Sequence, residues 1–173
     1  GAGADAENYE AVLYEGYGPG GVAVLVEALT DNRNRTGSDV RHAFTKAGGN
    51  LGEPGSVAYL FEKKGIVVVD GTRYTEDDLI VAIDAGAEDI AADGDVFEVV
   101  SDPSDLSAVR AALESAEIAF ESADVTYLPS TRVEVDEAVA AKIVRLIDTP
   151  EDNDDVGDVH ANFDDDAAVL ERI

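Results

Sequence analysis

Residues 9 to 15 (YEAVLYE) and 22 to 29 (VAVLVEAL) are rich in apolar, strand-favouring side chains, and they flank Gly16-Tyr17-Gly18-Pro19-Gly20-Gly21. Two such runs around a glycine- and proline-rich connection predict a β-hairpin. From about Arg33 to Ala47 the period changes: Val40, Ala43, Phe44 and Ala47 recur at helical spacing, and Gly48-Gly49 supplies a C-terminal stop. The apolar side of this helix is expected to face a sheet. Residues 56 to 62 alternate again, with Val57, Tyr59 and Phe61 on one face, which predicts a strand.

A second cycle starts at Gly65. Strand 66 to 70 (IVVVD) precedes a helix from Thr75 to Ala85, and strands 88 to 92 and 96 to 100 lie around Asp93-Gly94, a strong hairpin signal. A helix from about Ser104 to Ser115 follows Asp102-Pro103, with Leu106, Val109, Ala112 and Leu113 as its apolar stripe. A strand within 118 to 128 completes β-α-β-β-α-β, the ferredoxin-like order. The segments outside this cycle repeat the order: strand 22 to 29, helix 33 to 47, strands 56 to 62 and 131 to 135, helix 136 to 148 and strand 156 to 163. The expected fold class is α+β, two ferredoxin-like βαββαβ units with the second inserted into the first. Residues 1 to 63 with 131 to 173 would form the discontinuous domain and 64 to 130 the inserted one, with crossings near Lys63-Lys64-Gly65 and Leu128-Pro129-Ser130.

Composition narrows the chemistry. The 173 residues, 45% hydrophobic and 29% charged, suit a globular chain with a sizeable core. There is no apolar run of about eighteen residues and no basic-then-apolar leader, so the expectation is a soluble, cytoplasmic protein without a membrane partner. Without cysteine, disulfides, thiolate metal sites and thiol catalysis are excluded within this chain. Methionine is absent too, position 1 included, so the first residue is expected to follow processing or trimming. A formal net charge of -26 repels phosphate backbones and anionic membranes. The charge is uneven: residues 33 to 64 hold six basic side chains against three acidic ones, a window of +3 in a chain otherwise at -29.

Several motifs fail on context. Gly16, Gly18 and Gly21 spell GxGxxG, but strand-like residues follow where dinucleotide binding needs a helix, and Pro19 sits inside the turn. Gly16, Gly18, Pro19, Gly20 and Gly21 are therefore read as a structural turn, and no cofactor is expected. The acidic run 151 to 166 invites a calcium reading, yet with Asp152 first and Gly157 sixth the fifth and twelfth positions fall on Val156 and Phe163. A solvated acidic loop is the expectation, and no metal. His42 and His160 have no recognisable catalytic partners, so no catalytic residue is assigned and the chain is read as non-enzymatic.

Thr30-Asp31-Asn32-Arg33-Asn34-Arg35-Thr36 leads into a helix that also carries Arg41, His42 and Lys46. At 100° per residue, Arg35, His42 and Lys46 share one face, away from Val40, Ala43 and Phe44. Arg33, Arg35, Arg41, His42 and Lys46 are the candidate nucleic-acid contacts, against the simpler reading that they balance an acidic neighbourhood.

These segments, Tyr14 to Val22, Thr30 to Thr36, Val40-Arg41-His42-Ala43-Phe44 and Gly48-Gly49-Asn50-Leu51-Gly52, resemble the YebC/PmpR proteins. Ala85 to Asp89, Leu128-Pro129-Ser130-Thr131 and Leu146-Ile147-Asp148 extend the likeness over nearly the whole chain. The resemblance implies a DNA-binding transcriptional regulator related to a mitochondrial translational activator of cytochrome c oxidase. It also implies a basic helical N-terminal domain that this sequence lacks, followed by two α/β domains. Nucleic acid, whether DNA or ribosomal RNA, would then be bound mainly by the full-length protein. The alternatives are a translation factor on ribosomal RNA and a small-molecule sensor using a cleft between the α/β units. Oligomeric state is left open.

Overall fold

The computed structural model of the chain describes residues 8–151 and 153–164. The chain forms two compact units: residues up to Glu62 together with those from Pro129 onward, and Lys63–Leu128.

In the first unit, β1 (Glu10–Tyr17) and β2 (Ala23–Thr30) form the hairpin, paired from Glu10 with Thr30 to Tyr17 with Ala23. Pro19–Gly21 makes a single 3-10 turn between them, with Gly20 and Gly21 at φ 74° and 77°, a region that glycine enters without a Cβ penalty. Helix α1 (Arg33–Lys46) is capped by the Asn32 side chain, which accepts a hydrogen bond from the Arg35 N–H at 3.0 Å. It buries Thr36, Val40, Ala43 and Phe44. After α1 the backbone turns at Gly48 (φ 88°), and Gly49 passes so close to the Tyr17 carbonyl that a Cβ there would collide with it. The short β3 (Asn50–Leu51) then pairs with Gly16 and Tyr17 on the outer side of β1. Helix α4 (Glu137–Glu151) and β8 (Val156–Ala161) complete the unit, giving the sheet order β3-β1-β2-β8. Its core joins Val22, Val24 and Val26 of β2 to Val40 and Phe44 of α1 and to Ala140, Ile143 and Leu146 of α4. Burial of each of the large side chains contributes about 1.5–3 kcal/mol.

The second unit runs β4 (Phe61–Asp70), α2 (Ile80–Asp84), β5 (Asp89–Asp93), β6 (Val96–Ser101), α3 (Leu106–Ser115) and β7 (Ser122–Pro129), in sheet order β5-β6-β4-β7. Gly94-Asp95 forms the two-residue hairpin loop, with Gly94 at φ 58°. Val67, Val69 and Val99 pack with Leu79, Ala82, Val109 and Leu113.

The fold class is thus the expected one, α+β with two ferredoxin-like units, one inserted in the other. Individual strands of the first unit differ from the sequence pattern. Of residues 56 to 62 only Phe61 and Glu62 are strand, as the start of β4. Ala58–Leu60 is a 3-10 turn, because the Glu15 carboxylate takes the N–H groups of Gly55, Val57 and Ala58 that a ladder would have used. Residues 131 to 135 make only one isolated bridge, Val133 with Phe163, and Asp136 turns the chain by capping the Val139 N–H at 2.8 Å. Beside β2 in the sheet lie β1 on one side and β8 on the other. In the second unit, the helix expected from Thr75 begins as a 3-10 turn, Asp77–Leu79, and is α-helical only over Ile80–Asp84.

Candidate nucleic-acid interface

The cationic residues of α1 separate into two groups. At the N-terminal end they are matched by carboxylates: Arg33 lies 3.6 Å from Glu10, and Arg35 bonds Asp31 at 2.9 Å and Asp155 at 2.8 Å. Asp155 also accepts the Thr36 hydroxyl at 2.9 Å, and that hydroxyl lies 2.7 Å from the Thr30 Oγ1. Hydrogen bonds from Arg35 and Thr36 hold the Asp155 carboxyl below the usual carboxylate range, and the same contact with Asp155 raises the Arg35 guanidinium. Asn153 adds a 2.9 Å bond to Asp39. This network ties the segment after α4 to the start of α1, so Arg35 is engaged in the fold.

The C-terminal half of α1 differs. Arg41, His42 and Lys46 are exposed, and among the described residues none of them has a hydrogen-bond or ion-pair partner. Lys46 lies on the shoulder of the helix toward α4, whereas His42 is nearly opposite the buried face and Arg41 is about 100° around the axis from His42. Between the end of α1 and α4 opens a cavity of about 470 Å³, lined by Ala43, Lys46, Ala47 and Gly48 on one side and by Lys142, Arg145, Leu146 and Asp148 on the other. Small alanines opposite Leu146 leave the hollow, and the solvent-facing positions of both helices place three cations and one carboxylate around it.

Lys142 and Arg145 were not among the residues singled out by sequence. Their signal is the spacing 142, 145, 148 on the side of α4 opposite Ala140, Ile143 and Leu146. It reads as an ordinary polar face until α1 is laid beside it.

Other candidate chemistry is absorbed by the fold. Glu15 is 5% exposed and accepts N–H bonds from Gly55, Val57 and Ala58 at 2.7, 3.0 and 2.7 Å. Burial pushes its carboxyl up, but the three N–H bonds outweigh that and hold it below the usual range. His160 lies 2.7 Å from Glu27 across β8 and β2. The Gly16 to Gly21 segment leads into β2, not into a helix. Among the described residues, no group of three or more His, Cys, Asp or Glu side chains is placed to hold a metal ion, and no helix is long and apolar enough to cross a membrane.

A family model described as the TACO1/YebC second and third domain matches residues 9–163. A protein of Streptomyces avermitilis named a probable transcriptional regulatory protein is 54% identical over 176 residues, covering 100% of this chain and 70% of that protein. One of the same name from Desulfotalea psychrophila is 53% identical over 169 residues, covering 96% and 68%. The crystal structure of a conserved hypothetical protein from Aquifex aeolicus matches with a TM-score of 0.83 at 46% identity, covering 91% of this chain and 65% of that one. The chain therefore spans about two thirds of the length of these relatives. Sequence identity and shared fold agree across both units, and the chain belongs to the TACO1/YebC family, with the family's second and third domains in its residues 9–163.

Proposed function

We propose that this chain is the α/β part of a non-enzymatic, cytoplasmic regulator of gene expression that works by binding DNA, and that Lys46, Lys142 and Arg145 form its phosphate-docking ledge. The observation that carries this reading is the convergence of Lys46, Lys142 and Arg145 on one cavity in a protein of net charge -26. Arg41 and His42, exposed on α1 outside the cavity lining, are outlying contacts. Arg33 and Arg35 contribute less, because Glu10, Asp31 and Asp155 already match their charge. Phosphate contacts position a protein on nucleic acid without reading sequence. The surrounding negative field keeps binding by this chain weak, and the remaining third of the full-length relatives supplies the rest.

The test is DNA binding by a full-length relative against salt concentration. Reversing the three cations that match Lys46, Lys142 and Arg145 is expected to flatten the slope of log K against log salt by about 2.7 on duplex DNA, at roughly 0.9 per phosphate contact. Unchanged affinity and slope would remove the ledge from the interface. Equal affinity in this chain and the full-length relative would remove the contribution assigned to the remaining third. In-cell crosslinking followed by sequencing of the attached nucleic acid distinguishes DNA from ribosomal RNA as the partner.

A further inference from the structure

We infer that this fold is adapted to concentrated salt: at low ionic strength, repulsion among its carboxylates holds it short of full stability, and monovalent salt of about molar strength removes that deficit. The phosphate-docking ledge plays no part in it.

The charge belongs to the folded body and not to a tail. Lys63–Leu128 carries four cations against sixteen carboxylates, net -12, which leaves -14 of the total -26 to the first unit. A surface shaped for one basic partner would concentrate its carboxylates on one unit, whereas here both carry the excess. Pairing cannot remove it. In the second unit Lys64 bonds Glu88 at 2.9 Å and Arg110 lies 4.0 Å from Glu114, while Lys63 and Arg73 stand over the rings of Tyr127 and Tyr74. Even with each of the four cations matched to a carboxylate, the remaining twelve of the sixteen stay uncompensated within that unit.

The helix ends point the same way independently. The C-terminal end of a helix carries partial negative charge, so a carboxylate there is unfavourable at low ionic strength, and salt screens the effect. Helices α2, α3 and α4 have Asp84, Glu114 and Asp148 in their last turn and no basic residue there. By contrast, α1 has Lys46 in that place.

The core leaves a narrow margin against this repulsion. In the second unit Val67, Val69, Ala82, Ala87, Val99 and Val109 make up most of the buried cluster, and the whole chain has no Trp or Met. Valine and alanine bury less apolar area than leucine, isoleucine or phenylalanine, so each offsets less of the unfavourable charge. Screening is the remaining lever. The Debye length shrinks from about 10 Å at 0.1 M salt to about 3 Å at 1 M, so that a carboxylate no longer feels the others across the surface of its unit. The effect is a diffuse one, with no ion held at a single place.

The experiment is differential scanning calorimetry of the whole chain at neutral pH, from about 0.1 M to about 3 M potassium chloride. The melting temperature is expected to rise by at least roughly 5 °C, most of it below about 1 M, where screening is nearly complete. Sucrose favours compact states without carrying charge, and its addition at low salt should not reproduce a rise that levels off in this way.

A variant with Asp84→Lys, Glu121→Lys and Asp124→Lys, all at exposed positions, takes the second unit from net -12 to -6. It should melt above wild type at about 0.1 M salt and gain about half as much from added salt, or less. The milder Asp84→Asn, Glu121→Gln and Asp124→Asn set should fall between the two. A smaller rise in wild type, a rise that keeps its slope beyond about 1 M, or one that sucrose matches would overturn the salt adaptation. So would an undiminished salt gain in both variants, each shown to be folded by its circular dichroism.

Discussion

Glu15→Gln is the perturbation that most directly tests how the first unit is held together. The Glu15 side chain is buried, Oε1 accepts from Val57 and Ala58 at 3.0 and 2.7 Å, and Oε2 accepts from Gly55 at 2.7 Å. Glutamine keeps the shape but supplies one neutral acceptor, and it turns an NH2 donor toward one of the N–H groups. A hydrogen bond to a charged group contributes about 1.5–3 kcal/mol and a neutral one about 0.5–1.5, so two weakened bonds and one lost bond cost about 3 kcal/mol. At about 2–4 °C per kcal/mol for a chain of this size, the melting temperature should fall by roughly 6–12 °C.

The pH dependence has a definite sign. Because the three N–H bonds lower the Glu15 carboxyl in the folded state, its stabilisation is fully present above the ordinary glutamate pKa of about 4.3 and is lost as pH falls through the lower folded value. The gap between wild type and Glu15→Gln, measured by urea unfolding followed by circular dichroism, should therefore be widest near neutrality and shrink in acid. A gap below about 1 kcal/mol at neutral pH, or one that grows as pH falls, would refute the view that this carboxylate organises the 55 to 58 turn.

Three further outcomes are expected. Asp155→Ala removes acceptors from Arg35 and Thr36 and should cost about 1–2 kcal/mol in urea unfolding, with faster hydrogen exchange at the start of α1. Gly49→Ala drives a Cβ into the Tyr17 carbonyl and should destabilise by about 1–3 kcal/mol, read as a lower denaturation midpoint. Gly94→Ala meets no neighbour within 4 Å but must adopt φ 58°, so its cost is conformational, about 1 kcal/mol, while its exchange for Asn should be milder.

The elements legible in the sequence share one property: short-range patterning specifies them. The glycine- and proline-rich link from Gly16 to Gly21 and Asp93-Gly94 sit at real hairpins, and the period of Val40, Ala43 and Phe44 marks the face that α1 buries. Gly48 and Gly49 stand where α1 stops. Alternation misled at 56 to 60, because it registers which side chains want burial but not which partner takes the backbone hydrogen bonds. There the partner is a carboxylate forty residues upstream. The segment 131 to 135 was expected as a strand, yet it makes only the bridge of Val133 to Phe163, and β2 pairs instead with β1, joined to it by a short loop, and with β8.

Residues close together in the chain carry the period of most elements, the turn chemistry, the two-unit α+β class and the family likeness. Which charged groups come together is settled only in three dimensions. Arg35 meets Asp155 across 120 positions, and Lys46 meets Lys142 and Arg145 only because α1 and α4 share one core. Charge acts through space, and no periodicity along the chain encodes which distant side chains a folded core will bring within a few ångströms of one another.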